Sequence, residues 1–364
     1  MLYKDYVERK TANAIRVNSA EGYPCVFDNS KGRPLKNYKL YGNSIQDGTP
    51  TPDNPIEIQS VGDLVTDETS EYYGKYDIPI VVRGKNLIKY PYATASRTMN
   101  GVKYTVNKDG SVTVVGTATA ASFFILNENV DFGNSSIPEN STNGVYATSE
   151  GVKYNVSNHT VSINVASGET VDKIVYPQIE YGTTATEYEP YQGSETIHIY
   201  LDKPLCKFGD YTDYIDFKNK KVVRNVVQGV LNGSEPWMPS STRYYYYNPE
   251  LNIKCLGTSV ASIMSNALPS KSWTEIRNSG TGISTYTNGI LHNRIDIRAD
   301  GIWTTVNEAK EYLKSNPIYY IAPCLVPTEE DISLPSLKTL QGTNIISVAT
   351  EIEPSYIEVK YIAK

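Results

Sequence analysis

Apolar and polar residues alternate with a period of two along most of this chain, which predicts β-strands. In NGVKYTVNKDGSVTVVGTAT, Val102, Tyr104 and Val106 alternate with polar positions. The tetrad Asn107-Lys108-Asp109-Gly110 then predicts a turn, with Gly110 supplying the left-handed position, and Val112 and Val114 resume the alternation. A second hairpin follows in EGVKYNVSNHTVSINVASGE, through Val152, Tyr154, Val156, Val161, Ile163 and Val165. The shared GVKY start does not recur a third time, so the two hairpins are expected in one sheet domain and not in a solenoid.

Helical signals are few. TTVNEAKEYLKSNP places Thr305 and Glu308 at capping-box spacing, with Pro317 as terminator and Val306, Ala309, Tyr312 and Leu313 on one face. SVASIMSNALP, with Val260, Ile263, Met264 and Ala267 at i, i+3, i+4 and i+7, predicts a second short helix. The rest reads as short strands between turns, so the expected class is mainly β, with sandwiches of the jelly-roll type.

The stretch YGNSIQDGTPTPDNPIEIQSVG (Tyr41 to Gly62) reads as an extended loop up to Ile56, because Pro50, Pro52 and Pro55 cannot donate ladder hydrogen bonds. Ile56, Ile58 and Val61 then start a strand. The strand Ile78 to Val82 has its natural continuation far along the chain, in Thr196 to Leu201, where Ile197, Ile199 and Leu201 alternate. Residues 39–83 and 194–364 are therefore expected to form one discontinuous host β-domain, interrupted by a β-sandwich at 84–193. Residues 1–38 are mostly polar, with Ala14, Ile15 and Val17 as isolated apolar points, and are expected to serve as an attachment segment docking on another protein or a sister subunit.

Composition narrows the function. With 364 residues and 40% apolar content, two or three packed domains are expected. A net charge of −6 without a basic stripe argues against nucleic acid, and no apolar stretch approaches the roughly 20 residues of a membrane span. The start, MLYKDYVERK, lacks a signal-peptide apolar region. Cys25, Cys206, Cys255 and Cys324 show no CxxC spacing and read as reduced small hydrophobes, in keeping with synthesis in a cytoplasm. The outlier is 30 Tyr against 6 Phe, which suits strands with one wet face, subunit contacts or platforms that stack on sugars.

Candidate chemistry is sparse. Glycan hydrolysis needs two carboxylates roughly 5–10 Å apart, one with a raised pKa. The densest acids, Asp210, Asp213 and Asp216, and Glu329, Glu330 and Asp331, read as turn and cap residues beside strands. His159, His198 and His292 lie in unrelated contexts, and no phosphate-binding glycine motif is present. For binding, the run STRYYYYNP and nearby Trp237 are candidates, with at most half of Tyr244 to Tyr247 on one face of a strand. The candidate carbohydrate-stacking residues are Tyr90, Tyr92, Tyr146, Trp237, Tyr244 and Tyr246; a Tyr-rich strand pairing with a neighbouring subunit is the rival explanation of the run.

GNSIQDGTPTPDNPIEIQSVGD, GKNL, YPQIEYGTTATEYEPY, DYIDFKNKKVVRNV, VLNGSEPW and NPIYYIAPCLVPTEEDISLPSL with GTNIISV resemble segments of tail, tail-fibre and baseplate proteins of phages and prophages of Gram-positive bacteria. The resemblance spans nearly everything from about Leu35 onward. It implies that the GKNL-to-EPY block is a jelly roll similar to carbohydrate-binding modules, and that the protein is a non-enzymatic structural and adhesive part of a virion tail tip. The implied partners are other tail proteins and a host-surface glycan, with a homo-oligomer, first of all a trimer, and neither nucleic acid nor membrane insertion. No cofactor or catalytic residue is implied; related jelly rolls often hold a structural calcium, but no oxygen-ligand cluster here assigns one. A glycan-degrading tail enzyme and a purely structural tail subunit are the alternatives.

Overall fold

The computed structural model describes residues 6–10, 14–19, 24–25, 35–130, 146–155, 157–181, 185–240, 243–247, 251–278, 280–287, 293–335, 337–338, 340 and 342–361. Among them the chain is mainly β, built from antiparallel sheets with two short helices.

Two sheets enclose the first core. One orders Ser194–Leu201, Tyr76–Gly84, Gly342–Val348 and Ala14–Ser19 side by side, with Asp63–Leu64 added against Tyr76–Gly84. The other orders Tyr6–Lys10, Tyr356–Tyr361, Leu35–Tyr41, Tyr214–Asp216, Lys221–Leu231, Ile318–Asp331 and Met264–Ser265. Alternate residues of the facing strands fill the space between: Ile78, Ile80, Val82, Ile199 and Ile346 from one side, and Tyr38, Leu40, Ile215, Phe217 and Ile357 from the other. The strand Ser194–Leu201 pairs with Tyr76–Gly84 in the register Thr196↔Val81, Ile197↔Ile80 and Ile199↔Ile78, the sequence-distant neighbours that the apolar pattern anticipates.

Residues 84–193 fill the interruption with a core of their own. Thr170–Val175, Val112–Thr117, Val102–Val106 and Arg97–Met99 form one sheet; Ser122–Asn127, Thr160–Val165 and Val152–Asn155 form another. Val102, Tyr104, Val112, Val114, Phe124, Leu126, Val161 and Ile163 pack between them, and the Tyr104 hydroxyl reaches Ser122 Oγ at 2.9 Å. Both expected hairpins form, but in opposite sheets of this core. Gly110 closes the first turn at φ +82°, a conformation that needs no Cβ.

The start of the chain departs from the expectation of a segment that docks only on another protein or subunit. The described strands of residues 1–38 pair with the host region: Tyr6–Lys10 with Tyr356–Tyr361, Ala14–Ser19 with Gly342–Val348, and Pro24–Cys25 with Leu337–Lys338. Strand addition uses backbone hydrogen bonds and needs no apolar pattern, so a polar stretch can add to a sheet edge unannounced. The remainder of that segment lies outside the described residues.

The host region also carries a further core, separate from the first, where one host β-domain is expected. Trp237–Ser240, Arg243–Tyr247, Asn293–Arg298 and Gly282–Thr287 form a sheet over Leu231, Ile283, Ile295, Ile297, Trp303 and Ile318. The expected helix, α2 (Val306–Ser315), lays Ala309 and Leu313 on this core, and its capping box forms: Glu308 N donates to Thr305 Oγ1 and Thr305 N to Glu308 Oε2. The helix expected over SVASIMSNALP does not form; only Met264–Ser265 pairs, against Ile318–Asp331. There Ser262 accepts from Leu256 N, and Ser265 both accepts from Leu268 N and donates to Leu268 O, local bonds that compete with a helix. The helix lies instead at α1 (Trp273–Asn278), started by Ser272 and Glu275 bonded to each other's backbone N–H groups.

The proline-rich loop connects these parts. Thr51 and Asn54 close its turn through reciprocal backbone bonds, Ser44–Ile45 pairs with Gln59–Ser60, and Val61 bridges to Leu205. Ile56 N donates to Asn266 O, and the Tyr312 hydroxyl to Pro52 O, so the loop straps the first core to the second host core.

Candidate functional site

At one end of the 84–193 sandwich, three segments converge on a cleft of about 320 Å³, lined by Asn86, Ile88, Tyr90, Tyr92, Lys108, Asp109, Gly110, Tyr188, Pro190 and Tyr191. The first segment leaves the host sheet at Gly84 and passes through a cis Tyr90–Pro91 bond. The second is the Asn107–Ser111 hairpin turn, and the third is the return segment before Ser194. This volume lies at the lower end of small-ligand pockets, roughly 300–1,000 Å³.

Tyrosines dominate the walls. Tyr90 and Tyr92 meet edge to face with centroids 5.2 Å apart, and Tyr188 lies 5.2 Å from Tyr176 on the outer rim. The Tyr92 hydroxyl donates to Gly110 O and the Tyr188 hydroxyl to Asp109 O, at 3.1 Å in the latter case, so both pin the turn. Burial raises both phenols, helped by neighbouring tyrosines and Asp109; Tyr188 is pushed up to about 12. Tyr90 is 39% exposed. The Asp109 carboxylate is held below its ordinary value by the Ser111 hydroxyl and N–H, which turn its charge onto the hairpin. Lys108 stands exposed beside it.

A buried polar network fixes the walls. Asn86 Nδ2 donates to Pro177 O at 2.9 Å and Glu189 O at 3.0 Å, while its Oδ1 accepts from Ile88 N, which ties the outgoing and returning segments together. Gln178 accepts from Glu189 N and donates to Glu180, and Glu180 accepts from the Thr186 N–H and hydroxyl. Lys85, 4% exposed, donates to Thr186 Oγ1 and Glu187 O and pairs with Glu189. Each buried polar group thereby finds partners, which low-dielectric surroundings demand.

Of the sequence candidates, Tyr90 and Tyr92 line the cleft. Tyr146 opens the strand Tyr146–Thr148 opposite Ile179–Tyr181; its side chain lies outside the described residues. Trp237 and Tyr244 are corrected: at 4% and 9% exposure they belong to the core over α2 and offer no ring face to a ligand. Tyr246 packs beside them with its ring 5.8 Å from Trp237. Tyr188, Tyr191, Asn86, Lys108 and Asp109 were not singled out; their signal lay in the GKNL, NKDG and EYEPY motifs, whose members are distant in sequence.

Three of the acidic residues make bonds within the fold. Asp213 is fully buried and accepts from the N–H groups of Cys206, Asn225 and Val226, with Arg224 at 3.4 Å; burial raises its pKa against those donors. Asp216 accepts from Asn219, and Glu329 pairs with Lys221 at 2.6 Å. Cys206 and Cys324 are free and buried, with burial pushing their thiols up to about 12 and about 11. His198 pairs with Asp77 at 2.8 Å, and His159 sits in a turn within 3.2 Å of the Tyr154 hydroxyl. His292 lies outside the described residues. Among the described residues no group of His, Cys, Asp and Glu is arranged to hold a metal ion.

Comparison with protein-family models, with curated proteins and with solved structures finds no match to this chain.

Proposed function

We propose that this protein is a non-enzymatic, adhesive component of a phage or prophage tail tip, and that its 84–193 sandwich, read as a jelly roll, takes a host-surface glycan in the tyrosine cleft. The observation that carries the reading is the convergence of Tyr90, Tyr92, Tyr188 and Tyr191 on one cleft of about 320 Å³ with Lys108 and Asp109 at its rim. Aromatic faces stack on the apolar faces of sugar rings, and a few placed polar groups orient the hydroxyls. Fixing the walls through Asn86 and Gln178 holds that geometry before ligand arrives, which lowers the ordering cost of binding. The engagement of Asp213, Asp216 and Glu329 in structural bonds supports adhesion over hydrolysis. A weak single site gains strength through several copies on a particle, in keeping with a homo-oligomer such as a trimer.

The test is binding of purified host-type wall polysaccharide by the protein displayed in several copies, with reducing-sugar release followed in parallel. Binding without release, weakened by Tyr90→Ala or Tyr191→Ala, is the expected result. Release of sugar would favour the glycan-degrading alternative, and absence of binding to both polysaccharide and intact cells would favour a purely structural subunit.

A further inference from the structure

The tyrosine run Tyr244 to Tyr247 sends its core-facing members inward, and its other face builds something separate. Tyr245 lies opposite Asp296, on the side of the sheet away from Ile295 and Ile297. There Arg294 is sandwiched between Tyr245 and Tyr286, its guanidinium carbon 4.6 Å from each ring centroid. Tyr286 stacks in turn on Trp273 of α1, centroids 4.5 Å apart and planes 27° from parallel, and the guanidinium of Arg277 covers Trp273 at 4.6 Å. The result is a continuous ladder, Tyr245–Arg294–Tyr286–Trp273–Arg277, on the face of the sheet opposite the Ile295 and Ile297 core.

Stacking occupies the flat faces of a guanidinium and leaves its N–H groups free in the plane, held in one orientation. Among the described residues Arg294 forms one ion pair, from Nε to the buried Asp296 at 2.8 Å. Arg277 is exposed and forms no ion pair among the described residues. The ladder therefore holds two pre-oriented sets of donors whose geometry matches a pair of oxygens on a carboxylate or a phosphate. We propose that this face is an anion-binding surface for a saccharide polymer bearing carboxylate or phosphate groups, distinct from the tyrosine cleft.

Titration of the full chain at low salt with polygalacturonate, phosphate-substituted dextran and unmodified dextran tests this, read by calorimetry and by the arginine Nε–Hε NMR signals. One or both charged polymers should bind, unmodified dextran should not engage this face, and the Arg277 and Arg294 signals should shift; whichever polymer binds assigns carboxylate or phosphate. Arg277→Gln should weaken binding about tenfold, the loss expected for one charge-assisted donor pair, whereas Lys153→Gln, which removes an exposed charge elsewhere, should not. No binding of either charged polymer, unmoved arginine signals, or equal weakening by Lys153→Gln would overturn the proposal. None of these outcomes depends on the cleft, so the two readings fail separately.

Discussion

Glu189 and Lys85 meet at 3.2 Å where the outgoing and returning chains of the 84–193 sandwich cross, and Glu189 reaches on to Thr343 of the host sheet. The Thr343 N–H and hydroxyl both donate to the Glu189 carboxylate at 2.7 Å, while Lys85 N donates to Thr343 O. One carboxylate thus clamps sandwich to sheet, and leaves no room at Gly342, where a Cβ would stand 2.5 Å from Glu189 Oε2.

Glu189→Gln should therefore destabilise the protein by about 1–3 kcal/mol in urea unfolding, because Lys85 loses its counter-charge in a nearly buried position and Glu189 is itself only partly exposed. Partial burial disfavours the Glu189 anion, but the Thr343 donors and Lys85 outweigh it and hold the pKa below its ordinary value. A depressed folded pKa means stability that is fully present above the unfolded value, near 4.3, and lost as pH falls through the lower folded value. The wild type should lose stability across that acid window, and the glutamine variant should lose less.

The tyrosine cleft predicts a split among its own residues. Tyr90→Ala, which removes a ring that is 39% exposed and rests edge to face on Tyr92, should cost no more than about 1 kcal/mol in unfolding while lowering glycan affinity. Tyr188→Phe removes a bond to Asp109 O and should cost about 1 kcal/mol. Because the Tyr188 phenol is raised to about 12, its contribution is fully present below about 10, the ordinary tyrosine value, and lost as pH rises through the folded value. Alkaline difference spectra should lose one late-titrating phenol in the phenylalanine variant.

The fragment 83–193 should fold without the host strands, because Val102, Tyr104, Val112, Phe124 and Ile163 bury one another and not the host core. Circular dichroism and dispersed proton NMR spectra check this. Phe124→Ala, at a fully buried site against Tyr104, should cost about 3–5 kcal/mol in the full chain, and its effect should appear equally in the fragment.

Removing the cap hydroxyl with Thr305→Ala should cost about 1 kcal/mol, read as a lowered midpoint in thermal or urea unfolding, because Glu308 N loses its acceptor at the start of α2. Ser272→Ala should act likewise on α1 through Glu275 N. Equal stability of both variants and wild type would show that packing, not capping, holds these helices.

The chain's own order of residues determined whatever depends on near neighbours. Alternation at Val102, Tyr104, Val112 and Val114 specified the hairpin and its buried face, Gly110 its turn, and Thr305 with Glu308 the start of α2, because strand parity, turn geometry and capping are settled within a few residues. Even the distant pairing of Ile78–Val82 with Thr196–Leu201 was legible, since matching apolar parity resumes after the interruption. Parity could not say which face of Tyr244 to Tyr247 looks inward; that was decided by Ile295 and Ile297 across the sheet, which put Tyr244 in the core and Tyr245 on the stacked face. The same holds for Val260, Ile263, Met264 and Ala267, whose helical spacing lost to the local hydroxyl bonds of Ser262 and Ser265 and to the pairing of Met264 with Ile321, and for the polar start of the chain, taken up by backbone pairing. The cleft itself needed three segments, around Tyr90, Asp109 and Tyr188, to be brought together, Tyr188 and Asp109 being 79 residues apart in the chain. Only closure of the sandwich, with Asn86 bonded across to Glu189, places them side by side.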